Sequence, residues 1–218
     1  MKLIFLDFDG VLNSRQSEIY YSQFHPHKVT MEERLCPIAT SNLLHILKEH
    51  PDTRIVVSST WRRSRSEAVL GEILSRYGID PSVVIGRTPY HGPGEIRGER
   101  IQEWIDSHKE INTTHFAIID DDADMAHFLG TPHFIKTHNK TGLMYAEVSK
   151  ILAYFGNYNL NFNQLIAGEQ YKLFSKPKQV IYTFNGTGFY YPDDQGQKHS
   201  QITFYPETEK FCLLKKSI

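Results

Sequence analysis

Over roughly the first 155 residues, short apolar runs alternate with stretches of helical periodicity. Candidate strands are Lys2–Leu6, Arg54–Ser58, Ser82–Ile85, His115–Ile119 and His133–Ile135. Between them lie predicted helices over Ile38–His50, with Leu43, Leu44 and Leu47 on one stripe, over Ser64–Tyr77, and over Gly98–His108, where Ile101, Trp104 and Ile105 recur at helical spacing. Pro51 and Gly78 stand where the first two should stop. A short helix after Asp124 and a longer one over Thr141–Tyr154 complete the set. Strand and helix in alternation predict an α/β domain built on a parallel sheet.

From about residue 156 the pattern changes. The segment 156–218 holds twelve of the twenty-seven aromatic residues and none of the ten arginines. Its periodicity is strand-like: Val180–Phe184, a turn at Asn185-Gly186, Gly188–Tyr191, and a second pair, Gln201–Tyr205 and Lys210–Leu214, joined through Pro206–Glu209. Pro192–Ser200 reads as a polar surface loop. The expected organisation is a domain over 1–155 and a small aromatic-rich antiparallel β extension over 156–218, with protein contact as the default role of the extension.

Composition narrows the function classes. With 218 residues, 40% hydrophobic and 22% charged, the chain can bury one ordinary core. A net charge of -1 gives no overall pull towards nucleic acid or an anionic membrane, so either partner would need a local basic patch. Cys36 and Cys212 are solitary, which suits reduced thiols and a cytoplasmic protein. The first residues lack the pattern of a secretory leader, and no apolar run is long enough to span a bilayer.

The chemistry concentrates where apolar runs end in acids. Lys2–Leu6 passes directly into Asp7-Phe8-Asp9-Gly10-Val11-Leu12-Asn13, and Phe116–Ile119 into Asp120-Asp121-Asp122-Ala123-Asp124. Buried parallel strands deliver their charges at a sheet edge, and acids at a carboxyl end mark a site. The i, i+2 spacing keeps Asp7 and Asp9 on one side of an extended chain. Anions held that close repel unless a cation or shared proton intervenes. A bound divalent metal, one carboxylate as nucleophile and one as proton carrier account for the pattern. An EF-hand spacing does not follow Asp9. Oxygen-only ligands favour magnesium.

These stretches resemble the motifs of the haloacid dehalogenase-like (HAD) phosphatases, and most closely the HAD domains of Swiss army knife RNA repair proteins. The likeness rests on Asp7-Phe8-Asp9-Gly10-Val11-Leu12-Asn13, Ser58-Ser59-Thr60-Trp61-Arg62, Arg97-Gly98-Glu99, Ile119-Asp120-Asp121-Asp122 and Thr137…Thr141-Gly142-Leu143. It implies a three-layer, Rossmann-like fold of a parallel sheet flanked by helices. It implies catalysis by Asp7 and Asp9, and metal binding by Asp7, Asp9, Asp120 and Asp121. Ser58, with Ser59 as helper, and Arg97, in place of the family's commoner Lys, would hold substrate phosphate with Arg62 beside them. Ser58 and Ser59 also suit a helix N-cap, Arg100 competes with Arg97, and Asp124 is a secondary ligand candidate.

The activity implied is a magnesium-dependent phosphatase acting on a phosphomonoester through an aspartyl-phosphate, with a nucleic-acid end as one substrate. A small-metabolite or nucleotide phosphatase, and a binding module using the aromatic tail, are the alternatives. No kinase-type Gly-x-x-x-x-Gly-Lys-(Ser/Thr) stretch accompanies the motifs. Residues 14–37 are expected to form a flap bearing Tyr20, Tyr21, Phe24, His25 and His27. Arg62, Arg63 and Arg65 are expected to supply a basic cluster for backbone phosphates.

Overall fold

The apolar runs of the first unit form a single parallel sheet in the computed structural model of the protein, which describes residues 1–27 and 30–156 with side chains and 170–173, 182–184, 189–192, 198–199 and 211–213 by backbone. Its strands are β1 (Lys2–Leu6), β2 (Thr53–Val57), β3 (Val84–Arg87), β4 (His115–Asp120) and β5 (Phe134–Lys136), in the order β3-β2-β1-β4-β5. β1 is central because both its faces are apolar: Leu3 and Phe5 point one way, Ile4 and Leu6 the other, and all are buried. Ile4 sits level with Ile55 of β2 and Ala117 of β4.

The helices are α1 (Arg15–Phe24), α2 (Pro37–Glu49), α3 (Glu67–Ser75), α4 (Arg97–Ser107) and α5 (Tyr145–Phe155). On one face Leu3, Phe5, Val56 and Ile118 pack with Ile101 and Trp104 of α4 and with Met125 and Phe128. Trp104 meets Phe5 edge-on, ring centroids 5.6 Å apart. Burying each such side chain contributes roughly 1.5–3 kcal/mol, so α4 and β1 hold one another firmly. Of the leucine stripe in α2, Leu43 and Leu47 are buried together with Ile46, while Leu44 is half-buried.

The segment expected to be a flap contains a helix. α1 starts at a capping box, Ser14 with Ser17, and its first four amides all have acceptors: Arg15 and Gln16 donate to the carbonyls of Asn139 and Lys140, Ser17 and Glu18 to Ser14. α3 begins at Glu67, capped by Ser66, because Thr60–Arg63 forms a separate 3₁₀ turn. A 3₁₀ turn over Pro81–Val83, capped by Asp80, delays β3 to Val84.

The chain divides into two compact units, Met1–Leu152 and Ala153–Ile218. In the second, β6 (Gln170–Leu173), β7 (Tyr182–Phe184), β8 (Phe189–Pro192), β9 (Lys198–His199) and β10 (Phe211–Leu213) form an antiparallel sheet ordered β10-β6-β7-β8-β9. Within the stretch read as a polar loop, Lys198 and His199 pair with Pro192 and Tyr191. The Asn185-Gly186 turn, the Gln201–Tyr205 strand and the Pro206–Glu209 connection lie outside the described residues. No helix among the described residues is long and apolar enough to cross a membrane.

Candidate active site

The strand order reverses between β1 and β4, and the crevice beyond their carboxyl ends is where an open α/β sheet binds ligands. Parallel register places Leu6 level with Ile119, so Asp7 and Asp120 emerge side by side. The Asp7 amide donates to the Ile119 carbonyl at 3.0 Å. Asp7, Asp120 and Asp121 bring one carboxylate oxygen each to within 4.8 Å of one another. Two are fully desolvated, at 3% and 0% exposure for Asp7 and Asp120. The Asp120 carbonyl accepts from the Thr137 amide while the Thr137 hydroxyl donates to the Gly10 carbonyl, tying the two acidic turns together through β5's end.

Burial raises the pKa of all three acids. For Asp120 burial, with the neighbouring Asp7 charge adding to it, pushes the value up to about 8. Asp7 is raised by burial against the opposing pull of Arg97 and the Ser59 hydroxyl, and Asp121 is raised chiefly by burial. Arg97 sits among them: Nη1 is 3.0 Å from Asp7 Oδ2 and also contacts Asp120 Oδ2, while Nε lies 4.0 Å from Asp124 Oδ1. Burial alone would lower the Arg97 pKa, but Asp7 and Asp120 outweigh it and hold it raised.

The start of α4 fixes that arginine. Asp124 accepts from the Arg97 amide through Oδ2 at 3.3 Å and from the Gly98 amide through its carbonyl at 3.0 Å. A side chain at position 98 would run into the Met125 carbonyl, so glycine is what lets α4 seat this close. Arg100, the competitor, turns instead to Glu103 at 2.6 Å and Glu99 at 3.3 Å. Asp124 thus acts on Arg97 and the helix start, and it stands apart from the three clustered carboxylates.

Three carboxylates, all oxygen donors, suit a hard divalent cation. The raised pKa values express the same burial, which disfavours three negative charges unless a cation joins Arg97 in offsetting them. Asp7, Asp120 and Asp121 are the groups that would hold it. The Asp9 carboxylate, expected with them, lies outside this trio: Oδ1 accepts from Asn13 Nδ2 at 2.9 Å and Oδ2 from Trp61 Nε1 at 3.0 Å. Phe8 stacks on Trp61 at 4.7 Å and steadies that donor.

Asp7, Asp9, Arg97 and Asp121 open into a cleft of about 540 Å³, whose wall adds Asn13, Thr60 and, from α1 and the loop after β5, Arg15 and Lys140. Ser58 and Ser59 are fully buried behind it; the Ser58 hydroxyl has no partner among the described residues, and Ser59 caps the 3₁₀ turn by accepting from the Trp61 amide at 3.3 Å. Of that stretch Thr60 lines the cleft.

The expectation that Arg62 holds substrate phosphate is corrected. Its five donors reach Ser58, Ser59, Thr88 and Pro89 carbonyls and Glu95, leaving none for a ligand. The basic cluster thins further, because Arg65 pairs with Glu32 and lies 4.6 Å over the Trp61 ring, while Arg63 stacks on Tyr90. In the segment expected to be a flap, Tyr21 is buried with its hydroxyl on the Leu35 carbonyl, whereas Tyr20 is exposed and hydrogen-bonded to His25.

Arg15, Thr60 and Lys140 were not legible as site residues. Only Thr60 had a signal, its adjacency to Ser58-Ser59.

No curated protein matches the chain. Among solved structures it is similar to the HAD domain of effector protein Lem4 from Legionella pneumophila, at 18% identity and a TM-score of 0.40, covering 72% of this chain and 92% of that one. Residues 3–148 match the family described as the HAD domain in Swiss Army Knife RNA repair proteins. That span takes in every clustered acid, and phosphatase-type chemistry is what the family and the acid cluster together support. It is also the greater part of the molecule, so this chain belongs to the family of HAD domains found in Swiss Army Knife RNA repair proteins.

Proposed function

We propose that the protein is a magnesium-dependent phosphatase that removes a phosphomonoester through an aspartyl-phosphate, with a phosphorylated nucleic-acid end as its substrate. The observation that carries this reading is the meeting of Asp7, Asp120 and Asp121 at the switch point, with Arg97 bridging Asp7 and Asp120. Asp7 is the nucleophile: an oxygen of its carboxylate forms the new bond to phosphorus as the bond to the leaving oxygen breaks. Asp9 gives the leaving oxygen its proton, then takes one from the water that cleaves the aspartyl-phosphate. Trp61 and Asn13 hold the Asp9 carboxylate in one direction, and each oxygen keeps a second lone pair for the proton. Arg97 and Thr60 orient phosphoryl oxygens. Magnesium, when bound, supplies positive charge against the phosphoryl oxygens and the crowded carboxylates.

A substrate at a polymer end suits a cleft open to solvent, and the RNA-repair setting of the family supports nucleic acid over a free metabolite. The test is phosphate release by the full chain in magnesium from 3′- and 5′-phosphorylated oligonucleotides, mononucleotides, phosphopeptides and p-nitrophenyl phosphate. Release from an oligonucleotide end, lost on chelation and in Asp7→Asn, is the expected result. Release that survives either treatment overturns the mechanism, and preference for mononucleotides overturns the substrate.

A further inference from the structure

Several arginines of this fold are committed to carboxylates. Arg62, Arg65, Arg87 and Arg97 each meet a carboxylate. Arg15 and Lys140 differ. Both are exposed, both line the cleft that holds Asp7, and neither has a carboxylate within ion-pair distance among the described residues.

Their proximity is built by main chain, not by chance contact of long side chains. The amides of Arg15 and Gln16 donate to the carbonyls of Asn139 and Lys140 at 3.0 and 3.1 Å. Leu143 then returns to the first motif by donating to the Val11 carbonyl at 2.9 Å. This return requires Gly142, whose φ is +75° and whose missing side chain leaves room for the Val11 carbonyl. Two cationic side chains therefore project from backbones that are hydrogen-bonded together, and both line the cleft.

The cleft already has its cations allotted. Arg97 lies among the acids of the floor, where the divalent ion would also sit, so the reacting phosphoryl group is served without help from Arg15 or Lys140. The volume of about 540 Å³ lies in the range that takes a whole nucleotide-sized ligand, far more than one phosphoryl group.

We infer that Arg15 and Lys140 form a second anion subsite, which selects a phosphomonoester bearing another phosphate a short distance from the one removed. The inference rests on the phosphatase reading above and adds the specificity. A nucleoside bisphosphate and the adjoining phosphodiester of an oligonucleotide end both present that chemistry.

The test measures kcat/KM for the full chain in magnesium with AMP, adenosine 3′,5′-bisphosphate and a terminally phosphorylated dinucleotide. The readout is the ratio of each two-phosphate substrate to AMP. A ratio well above one is expected for the wild-type chain. Arg15→Gln and Lys140→Gln should each lower it about three- to tenfold, mainly through KM, and the double variant should bring it close to one. Lys109→Gln, at the far end of α4, leaves it unchanged. The salt dependence of the ratio should weaken in step, because the Arg15 and Lys140 charges are exposed. Preference for the dinucleotide over the bisphosphate identifies a polymer end, and the reverse a free nucleotide.

A wild-type ratio near one, or a ratio untouched by both substitutions, overturns the subsite while leaving hydrolysis of p-nitrophenyl phosphate, and so the phosphatase reading, intact. If nothing is hydrolysed, the phosphatase reading fails and titration decides the subsite. Tighter binding of the bisphosphate than of AMP, lost in the double variant, upholds it, and equal binding overturns it.

Discussion

The Cα of Gly10 faces the Asp121 carboxylate so closely that a side chain at position 10 would occupy the carboxylate's own place. Gly10 also has φ +74°, a left-handed conformation that disfavours any other residue. The turn after Asp9 therefore does two jobs, reversing the chain and leaving the space in which Asp121 approaches Asp7. Gly10→Ala should cost about 1–2 kcal/mol in backbone strain and push Asp121 out of the cluster. Magnesium affinity should fall about 10- to 100-fold, by analogy with disturbed metal shells. Calorimetric titration of magnesium into wild type and variant measures this, and unchanged affinity would separate Gly10 from the cation site.

Asp7→Asn removes the nucleophile and one of three clustered charges while keeping the side chain's shape. Turnover should fall roughly a thousandfold or more, with no phosphoenzyme trapped on acid quench. Without metal the variant should be at least as stable as the wild type, because Asp7 is buried and raises Asp120 through its charge. Arg97 keeps Asp120 and Asp124 as partners. Retained steady-state hydrolysis would move the nucleophile elsewhere.

Stability should depend on pH and metal together. Asp120 is raised from an ordinary 3.8 to about 8, and Asp7 and Asp121 are raised too, by burial first in each case. Between about pH 4 and the raised values the folded, metal-free chain binds protons that the unfolded chain has released. Its stability is therefore full at the acid end of this window and is lost as pH climbs through about 8. Glu32 and Glu67, held low by Arg65 and Arg87, act in the opposite sense below about 4.5, outside the window, whereas His50, lowered by burial, opposes it below about 6.5 in metal-free and metal-bound protein alike. A divalent cation needs deprotonated carboxylates, so its stabilisation grows over the same range. The gap in Tm between magnesium-loaded and chelated protein should widen from about pH 5 to about pH 8; a constant gap contradicts this.

What could be read from residue order was what neighbours dictate. β1 and β4 were legible because each is an apolar run closed by acids, and the parallel register then brings Asp7 and Asp120 together. Arg97 was legible only through the family resemblance, which looks for a cation at the start of the helix that α4 proves to be. α1 was not, since it buries only Ser17 and Tyr21 and so shows no apolar stripe; the Ser14–Ser17 capping box was its one local signal. β3 was displaced because Pro81–Val83 turns before the strand begins. Three of the five partners of Arg62 lie 26 to 33 positions further along the chain, at Thr88, Pro89 and Glu95, and nothing near Arg62 announces them. The pairing of Arg15 and Gln16 with Asn139 and Lys140 is of the same kind, produced by the return of the chain after β5.

Arg62 itself supplies a prediction that separates support from binding. Its side chain is 2% exposed and that of Glu95 9%, and burial lowers the arginine's pKa against the pull of Glu95. Four carbonyls depend on one guanidinium, and they belong to the two loops that carry Ser58-Ser59 and Thr88-Pro89. Arg62→Lys keeps the charge but has three donors where five are needed, and should destabilise the fold by about 2 kcal/mol. Arg62→Ala also takes from Glu95 its ion-pair partner, leaving it the His91 amide, and should cost about 4 kcal/mol. Urea unfolding in magnesium measures both. Because the loop behind Asp7 loosens, kcat should fall for every substrate alike, with KM for small and large phosphomonoesters shifting by the same factor. A variant of wild-type stability whose KM alone rises would instead return Arg62 to the substrate.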